Sequence, residues 1–179
     1  MSANLLNRVK SSAVSFEQYS LLESDGSKSA IISDDGRYRY YLSRRWASEG
    51  KVIAFICLNP STADASLDDP TVKKCIRMAK SWGGAALVIG NLFAYRSTDP
   101  LNLKKCADPI GSENDIWLKK IIAESDLVVA AWGTNGDLLD RNQKVLNAFG
   151  GQLYALRLTK DGHPSHPLYL PETLFPFKL

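Results

Sequence analysis

The segment Val52-Ile53-Ala54-Phe55-Ile56-Cys57-Leu58, followed directly by Asn59-Pro60, decides how the rest of the chain is interpreted. This apolar run is too short for a membrane span, which needs about 18 residues. A continuous apolar run of this length, without alternating polar residues, is typical of a strand buried on both faces of a parallel sheet. The segment therefore predicts an α/β fold.

Strand-sized and helix-sized segments alternate downstream of this strand. Asp69-Pro70 is typical of a helix start, because aspartate caps the N-terminus and proline suits the first helical position; Gly83-Gly84 ends that helix. The alternation predicts a three-layer α/β/α sandwich around a central, mainly parallel four-stranded sheet. The other predicted elements are a strand at 85–90 (AALVIG), a helix opened by a capping box at Ser112–Asp115, a strand at 126–132 (DLVVAAW), a helix capped by Asn135 that runs through Phe149, and a strand at 152–156 (QLYAL).

Upstream of residue 51 the sequence predicts a β-hairpin. The segments 29–33 (SAIIS) and 37–43 (RYRYYLS) are rich in β-branched and aromatic residues, and they flank Asp34-Asp35-Gly36, which suits a tight turn. We expect this hairpin at the edge of the sheet. The chain 1–179 is predicted to be one domain, since domains usually have about 100–200 residues. Its parts are an N-terminal hairpin extension (1–50), an α/β core (51–170) and a tail (171–179).

Composition excludes several classes of protein. Apolar residues make up 45% of the chain and charged residues 23%, which is typical of folded globular domains and unlike disordered or collagen-like chains. The three cysteines, Cys57, Cys75 and Cys106, lie far apart without a CxxC motif, so neither a disulfide framework nor structural zinc is expected. Residues 1–10 lack the apolar core of a secretory signal. A reduced, cytoplasmic protein without a membrane span is predicted.

Polar side chains follow each of the four predicted core strands. In an open parallel sheet, ligands bind outside the carboxyl ends of the strands, because loops and helix N-termini converge there. Both histidines of the chain, His163 and His166, lie in the last of these loops. We therefore expect one binding site built from the loops Asn59–Asp64, Asn91–Pro100, Trp132–Gly136 and Thr159–Pro167.

Structural roles compete with functional ones for these residues. Asn59 and Asn91 also suit turns, because asparagine hydrogen-bonds to nearby backbone. Asp68-Asp69 favours helix capping, although a Mg²⁺-dependent phosphodiester hydrolase that uses Asp64, Asp68 or Asp69 is an alternative. The two histidines have no acidic partner at metal-ligand spacing, so neither a metal site nor a cofactor is expected.

Five short motifs are spread over most of the chain. They are Asn59–Asp64 (NPSTAD), Asp69–Val72 (DPTV), Asn91–Phe93 (NLF), Arg96-x-x-Asp99-Pro100 and His163–Pro167 (HPSHP). On these motifs the chain from about Tyr38 to Tyr169 is identified as a member of a bacterial and phage family, domain-of-unknown-function family 1643. This resemblance implies no activity.

The strand ends also resemble the uracil-DNA glycosylase superfamily. Leu58-Asn59-Pro60 is similar to the Asn-Pro pair that closes the first strand in its mismatch-specific branch. Asn91 is similar to the asparagine that holds the flipped base, and His163-Pro164-Ser165 is similar to the terminal His-Pro-Ser loop. The resemblance implies a uracil-DNA-glycosylase-like fold and a hydrolase of the N-glycosidic bond in a modified base, a nucleotide or DNA.

The same resemblance implies a role for each residue. Asn59 would orient the attacking water, and His163 would donate a hydrogen bond to the departing base, where negative charge develops. Asn91 would read the edge of the base, while Leu168 would fill the gap left by a flipped nucleotide. The remaining implied contacts are those to the base or nucleotide from Pro60, Tyr95 and Trp132, and those to phosphate from Ser61, Thr62, Arg96, Ser165 and His166.

Two departures from the glycosylase pattern favour an alternative function. Asparagine is not a general base, so Asn59 would act only on good leaving groups. Thr71 also stands near the position where the superfamily has an aromatic ring that stacks on the base. The alternative is a non-catalytic nucleotide- or nucleic-acid-binding module of the same fold. The expected partners are a nucleotide, a modified base or DNA, which a net charge of +3 permits without requiring, and no membrane.

Overall fold

A computed structural model of the protein describes residues 27–179. Residues 1–26, including the segment 1–10 discussed above, lie outside the described part. Within it no helix has the length and apolar character needed to cross a bilayer. Short 3-10 segments occur at 100–105, 134–140, 150–152 and 167–169. The main elements are β1 (Lys28–Ile32), β2 (Arg39–Arg45), β3 (Lys51–Cys57), α1 (Pro70–Ser81), β4 (Gly84–Asn91), α2 (Asn114–Ala123), β5 (Leu127–Ala130), α3 (Arg141–Phe149), β6 (Leu153–Ala155) and β7 (Phe177–Lys178).

The seven strands of residues 27–179 form one mixed sheet in the order β1-β2-β4-β3-β5-β6-β7. The four inner strands β4, β3, β5 and β6 are parallel to one another, as predicted for the core. The predicted four-stranded sheet was too small, however. The hairpin joins the sheet itself, because β2 pairs antiparallel with β4 over Leu42–Arg45, and β7 pairs antiparallel with β6 at the opposite edge.

Helices cover both faces of the sheet, as the apolar strands require. On one face Ala54 and Ile56 of β3 belong to a core cluster with side chains of α2 and α3. On the other face Ile53 and Phe55 belong to a cluster with side chains of α1. Because β3 is apolar at every position from 52 to 57, its alternating side chains supply both clusters. The α/β/α layering is therefore confirmed.

The start of α1 follows the sequence prediction. The Asp69 carboxylate accepts a hydrogen bond from the Val72 backbone N–H at 2.9 Å, and Pro70 occupies the first helical position. Such a cap contributes about 1 kcal/mol. Because α1 begins just beyond the carboxyl end of β3, its cap holds a carboxylate at the edge of the sheet where a site was expected.

Two predicted helix caps are wrong. The residue before α2 is Glu113, whose side chain makes no capping bond, and Asp115 of the predicted capping box pairs with Arg141 instead. Asn135 does not cap a helix through Phe149, because Leu139 and Asp140 adopt positive φ angles and α3 begins only at Arg141. At Asp115 a contact to a distant part of the chain takes precedence over the local capping pattern, whereas at Asn135 the backbone turns at Leu139 and Asp140 interrupt the predicted helix.

Candidate functional site

A cavity of about 190 Å³ lies at the carboxyl ends of β3 and β4. Its walls include Cys57, the last residue of β3, Asn91, the last residue of β4, and the start of α1 around Asp69. This volume exceeds the ~10–15 Å³ that one water requires. It is smaller than the ~300–1,000 Å³ of pockets for drug-sized ligands. The size therefore suits one small ligand, such as a single ring.

Four of the predicted site residues line this cavity: Asn59, Ser61, Asn91 and His166. They come from the loop after β3, the last position of β4 and the loop after β6, so the expected convergence of strand ends brings them together. Three further predicted positions follow the same strands but do not line the cavity, namely Pro60, Thr62 and Arg96. Tyr95, Trp132, His163 and Ser165 do not line it either.

The predicted residues outside the cavity have other surroundings. Trp132 is fully buried in the core cluster of α2 and α3. Tyr95 packs edge-on against Tyr38, with ring centroids 6.1 Å apart. The Arg96 guanidinium donates to the Gly36 carbonyl at 3.1 Å.

The two histidines lie in a small turn that follows β6. The Thr159 N–H donates to the His163 carbonyl at 2.8 Å, and the His163 N–H donates to the Thr159 hydroxyl at 3.1 Å. Pro164 pairs with Leu158 as an isolated bridge, and the Ser165 N–H donates to a backbone carbonyl. These bonds fix the turn at its base, so that of its two imidazoles only that of His166 lines the cavity.

Asn91 has the least satisfied side chain at the site. It is only 1% exposed, and neither its amide nitrogen nor its amide oxygen has a hydrogen-bond partner among the described residues. The backbone of Asn91 is fixed, because Asn114 of α2 donates to its carbonyl at 3.0 Å. A buried amide without partners costs about 1–3 kcal/mol for each unsatisfied group. The fold thus holds one donor and one acceptor in a fixed place without using them.

Asn59 is bound to the neighbouring loop. Its amide nitrogen donates to the Ser97 carbonyl at 2.9 Å and to the Pro60 carbonyl at 3.1 Å. These bonds join the loop after β3 to the loop after β4 and so form one rim of the cavity. They commit the nitrogen, whereas the amide oxygen remains an acceptor.

His166 presents one defined nitrogen as a donor. Its Nδ1 accepts the Leu168 N–H at 3.3 Å and so caps the 3-10 segment 167–169. Burial lowers the pKa of His166, and the nearby Asp69 carboxylate offsets this only in part. The ring is therefore neutral near pH 7 with its proton on Nε2, which is free to donate to a ligand.

Sequence reasoning missed Arg39, and it considered Asp69 only as a helix cap or as part of the magnesium alternative, although both residues line the cavity. Arg39 is 2% exposed; its guanidinium donates to the Ala63 carbonyl at 2.7 Å, and its Nε has no partner. Burial lowers the pKa of Arg39 to about 10, against the opposing effect of Asp69, so the side chain stays charged at pH 7. The sequence around Arg39, RYRYY (37–41), predicts a strand. It does not indicate which side chains or loops would lie next to Arg39 in the folded protein.

The three aspartates of the magnesium alternative do not share a site. Asp64 accepts the backbone N–H groups of Ser66 and Leu67, which lowers the pKa of its carboxyl. Asp68 pairs with Arg44, and Asp69 caps α1. Among residues 27–179 no group of three or more metal-ligating side chains is found. Each carboxylate therefore has a separate structural partner.

Comparison with known proteins gives one match. A family model with the description "Protein of unknown function (DUF1643)" matches residues 39–168. Neither the curated proteins nor the solved structures include a match to the chain. The matched range begins at Arg39 and includes every residue that lines the cavity.

Proposed function

Because the chain belongs to the protein family of unknown function DUF1643, whose description assigns no activity, we propose a function from the cavity itself. The cavity binds a nucleobase and supports hydrolysis of the N-glycosidic bond that joins this base to its sugar. The unpartnered buried amide of Asn91 is the observation that carries the proposal. Its role as reader of the base agrees with the resemblance of the strand ends to uracil-DNA glycosylases.

A primary amide offers a donor beside an acceptor. The ligand that satisfies both must present an acceptor beside a donor, as the amide-like edge of a pyrimidine or purine does. Satisfying both groups of Asn91 in a buried place would recover the desolvation cost that the free protein carries. The size of the cavity adds a limit, because about 190 Å³ accommodates a single ring more readily than a ring with its sugar and phosphate.

The other cavity residues suit the chemistry of base release. In hydrolysis, water bonds to the sugar carbon while the C–N bond breaks and its electron pair stays on the base. The Nε2–H of His166 would donate to the base as charge develops there, which gives His166 the role predicted for His163. The Asn59 oxygen would orient the water, and the Asp69 carboxylate would accept its proton. Asp69 thus supplies the general base that asparagine cannot provide.

Binding without catalysis is the second candidate function. The bonds from the Asn59 nitrogen to the Ser97 and Pro60 carbonyls are the observation that favours it. They explain Asn59 as a link between two loops, without any need for a catalytic water. A binding module would use Asn91 in the same way and release no base.

Base release is tested with oligonucleotides that carry uracil, mismatches or modified bases, and with free nucleosides and nucleotides. We expect free base from at least one of these substrates, measured by chromatography, and abasic sites where the substrate is DNA. Asn91→Asp replaces the donor by a second acceptor and should lower turnover at least roughly tenfold. Asn147→Asp makes the same change on the exposed face of α3 and should leave turnover unchanged.

Calorimetric binding of the same ligands separates the two candidates. Binding that depends on Asn91 without any base release would establish the binding module. Equal binding by the native protein and Asn91→Asp, for every ligand, would contradict both functions.

A further inference from the structure

Three arginines are buried in the part of the chain that the structure describes: Arg39, Arg44 and Arg141. A guanidinium removed from water loses its hydration, so a buried arginine needs a carboxylate and hydrogen-bond acceptors in compensation. The three arginines differ in whether they have these partners.

Arg44 and Arg141 each have a carboxylate partner and backbone carbonyl acceptors. The Arg44 Nε donates to the Asp68 carboxylate at 2.7 Å, and its other nitrogens donate to the carbonyls of Ser29, Ser43, Asp64 and Leu67. Arg141 pairs with the Asp115 carboxylate and donates to the Leu92 carbonyl at 2.8 Å. Neither Arg44 nor Arg141 lines the cavity. Their role is structural.

Arg39 differs from both. Its guanidinium donates to one neutral carbonyl, that of Ala63, and no salt bridge to a carboxylate is found for it within residues 27–179. Its Nε is buried without a partner, and the residue lines the same cavity as Asn91. The only buried arginine of this part that has no carboxylate partner is therefore the one at the cavity.

We propose that the ligand of this cavity carries an anionic oxygen and that Arg39 binds it. The inference rests on the proposed function, since the ligand is taken to be a base read by Asn91. The hydroxyl groups of Ser61, Thr71 and Thr98 also line the cavity and can donate to such an oxygen. Asp69 is the acidic residue that lines the cavity, and its carboxylate already accepts a hydrogen bond from the Val72 N–H. The anionic oxygen of the ligand would thus be the partner that Arg39 lacks in the free protein.

Two sources can supply the anionic oxygen: the phosphate of a nucleotide, or a charged group on the ring itself. Matched pairs of probes distinguish them. One pair is uridine and uridine 5′-monophosphate, and the other is uracil and orotate, which is the same ring with a carboxylate. Inorganic phosphate serves as an anion without a base. Affinities are measured by calorimetry on the full chain and on the variants Arg39→Gln, Arg39→Lys and Arg37→Gln.

The native protein should bind the anionic member of at least one pair roughly 10- to 100-fold more tightly than the neutral member. Arg39→Gln should abolish this preference and leave the affinity for the neutral member unchanged, whereas Arg39→Lys should retain part of it. Arg37→Gln removes an equal charge from an exposed side chain two residues away and should change neither affinity. The pair that shows the preference identifies the source of the charge.

The outcomes separate this inference from the proposed function. Equal affinity for both members of each pair, with binding that still depends on Asn91, would overturn the inference and leave the base site standing. Arg39-dependent binding of inorganic phosphate, with no dependence of any base ligand on Asn91, would support the anion site and contradict the base site. An absence of binding by every probe would overturn both. Folding of each variant is checked by its thermal transition.

Discussion

The two ends of β2 place a buried arginine in opposite situations. At one end Arg44, 3% exposed, is paired with a carboxylate and surrounded by backbone carbonyls. At the other end Arg39, 2% exposed, has one carbonyl partner and lines the same cavity as the unpartnered amide of Asn91. Burial is the same, so the difference lies in the partners alone.

This difference teaches how the fold separates stability from function. A buried polar group with all its partners stabilises one arrangement of the chain, whereas the same group without partners costs free energy in the absence of a ligand. A binding or catalytic role is one explanation for a buried group that keeps no partner. The Arg44 end is therefore a structural junction, whereas the Arg39 end is the one that we propose as a ligand site.

The largest expected effect comes from replacing each arginine with methionine. Arg44→Met leaves Asp68 as a partly buried charge without its main partner and should lower the free energy of unfolding by about 3–5 kcal/mol. Arg39→Met removes a buried charge that has no carboxylate partner, so it should raise the free energy of unfolding of the ligand-free protein by about 1 kcal/mol. Denaturant unfolding measures both values. Equal losses of unfolding free energy in the two variants would show that Arg39 has a structural role like that of Arg44.

Asn91 and Asn114 extend the comparison to amides. Asn114 donates to the carbonyls of Asn91 and Leu92, so Asn114→Ala should cost about 1–3 kcal/mol of unfolding free energy. Asn91→Leu replaces an amide without partners by an apolar side chain of similar shape and should cost less than about 1 kcal/mol. The same denaturant measurements apply. A larger loss for Asn91→Leu than for Asn114→Ala would show that Asn91 has partners in the free protein.

The smallest expected effect is a pH dependence caused by His166. Burial lowers its pKa in the folded protein below the unfolded value of about 6.5. As pH falls through about 6.5, the unfolded chain therefore binds a proton that the folded chain does not, and stability falls. Above that pH both states are neutral at His166, so the contribution vanishes. His166→Asn retains a capping acceptor without titrating and should remove this loss.

The measurement is the difference in unfolding free energy between the native protein and His166→Asn, followed from about pH 8 to about pH 5, roughly one and a half units on either side of the unfolded pKa. The acidic residues with lowered pKa values, Asp35, Asp64 and Glu172, contribute mainly below this range and equally in both proteins. A difference that stays constant over the range would contradict the burial of a neutral imidazole.

Much of the fold could be predicted from the sequence, because its signals are local. The apolar run 52–58, the cap at Asp69 and the turn at Asp34-Asp35-Gly36 each specify their element within a few residues. Of the two wrong caps, Asn135 failed because the chain turns at Leu139 and Asp140, and the other failed because a distant partner intervened. Asp115 turned away from its predicted helix cap because Arg141 lies 26 residues further along the chain and pairs with it.

The site could be predicted only in part. The strand-end rule located Asn59, Ser61, Asn91 and His166, because loops after parallel strands converge regardless of their detailed conformation. The rule could not choose between His163 and His166, since the choice depends on how the 159–167 turn is folded. Arg39 lies outside its reach altogether, because β2 is antiparallel and begins, rather than ends, at the cavity.

The sequence alone determined the kinds of elements, their order and the edge of the sheet at which polar groups gather. Periodicity and capping act between residues that are neighbours along the chain, so they can be read from the chain. Tertiary structure alone decided which buried polar groups found partners. Arg44 is satisfied because the residues 20–24 positions downstream fold back onto it, while Arg39 meets only the Ala63 carbonyl of the same loop. That allocation depends on pairings across the sheet, which arise from the packing of distant segments and leave no local pattern.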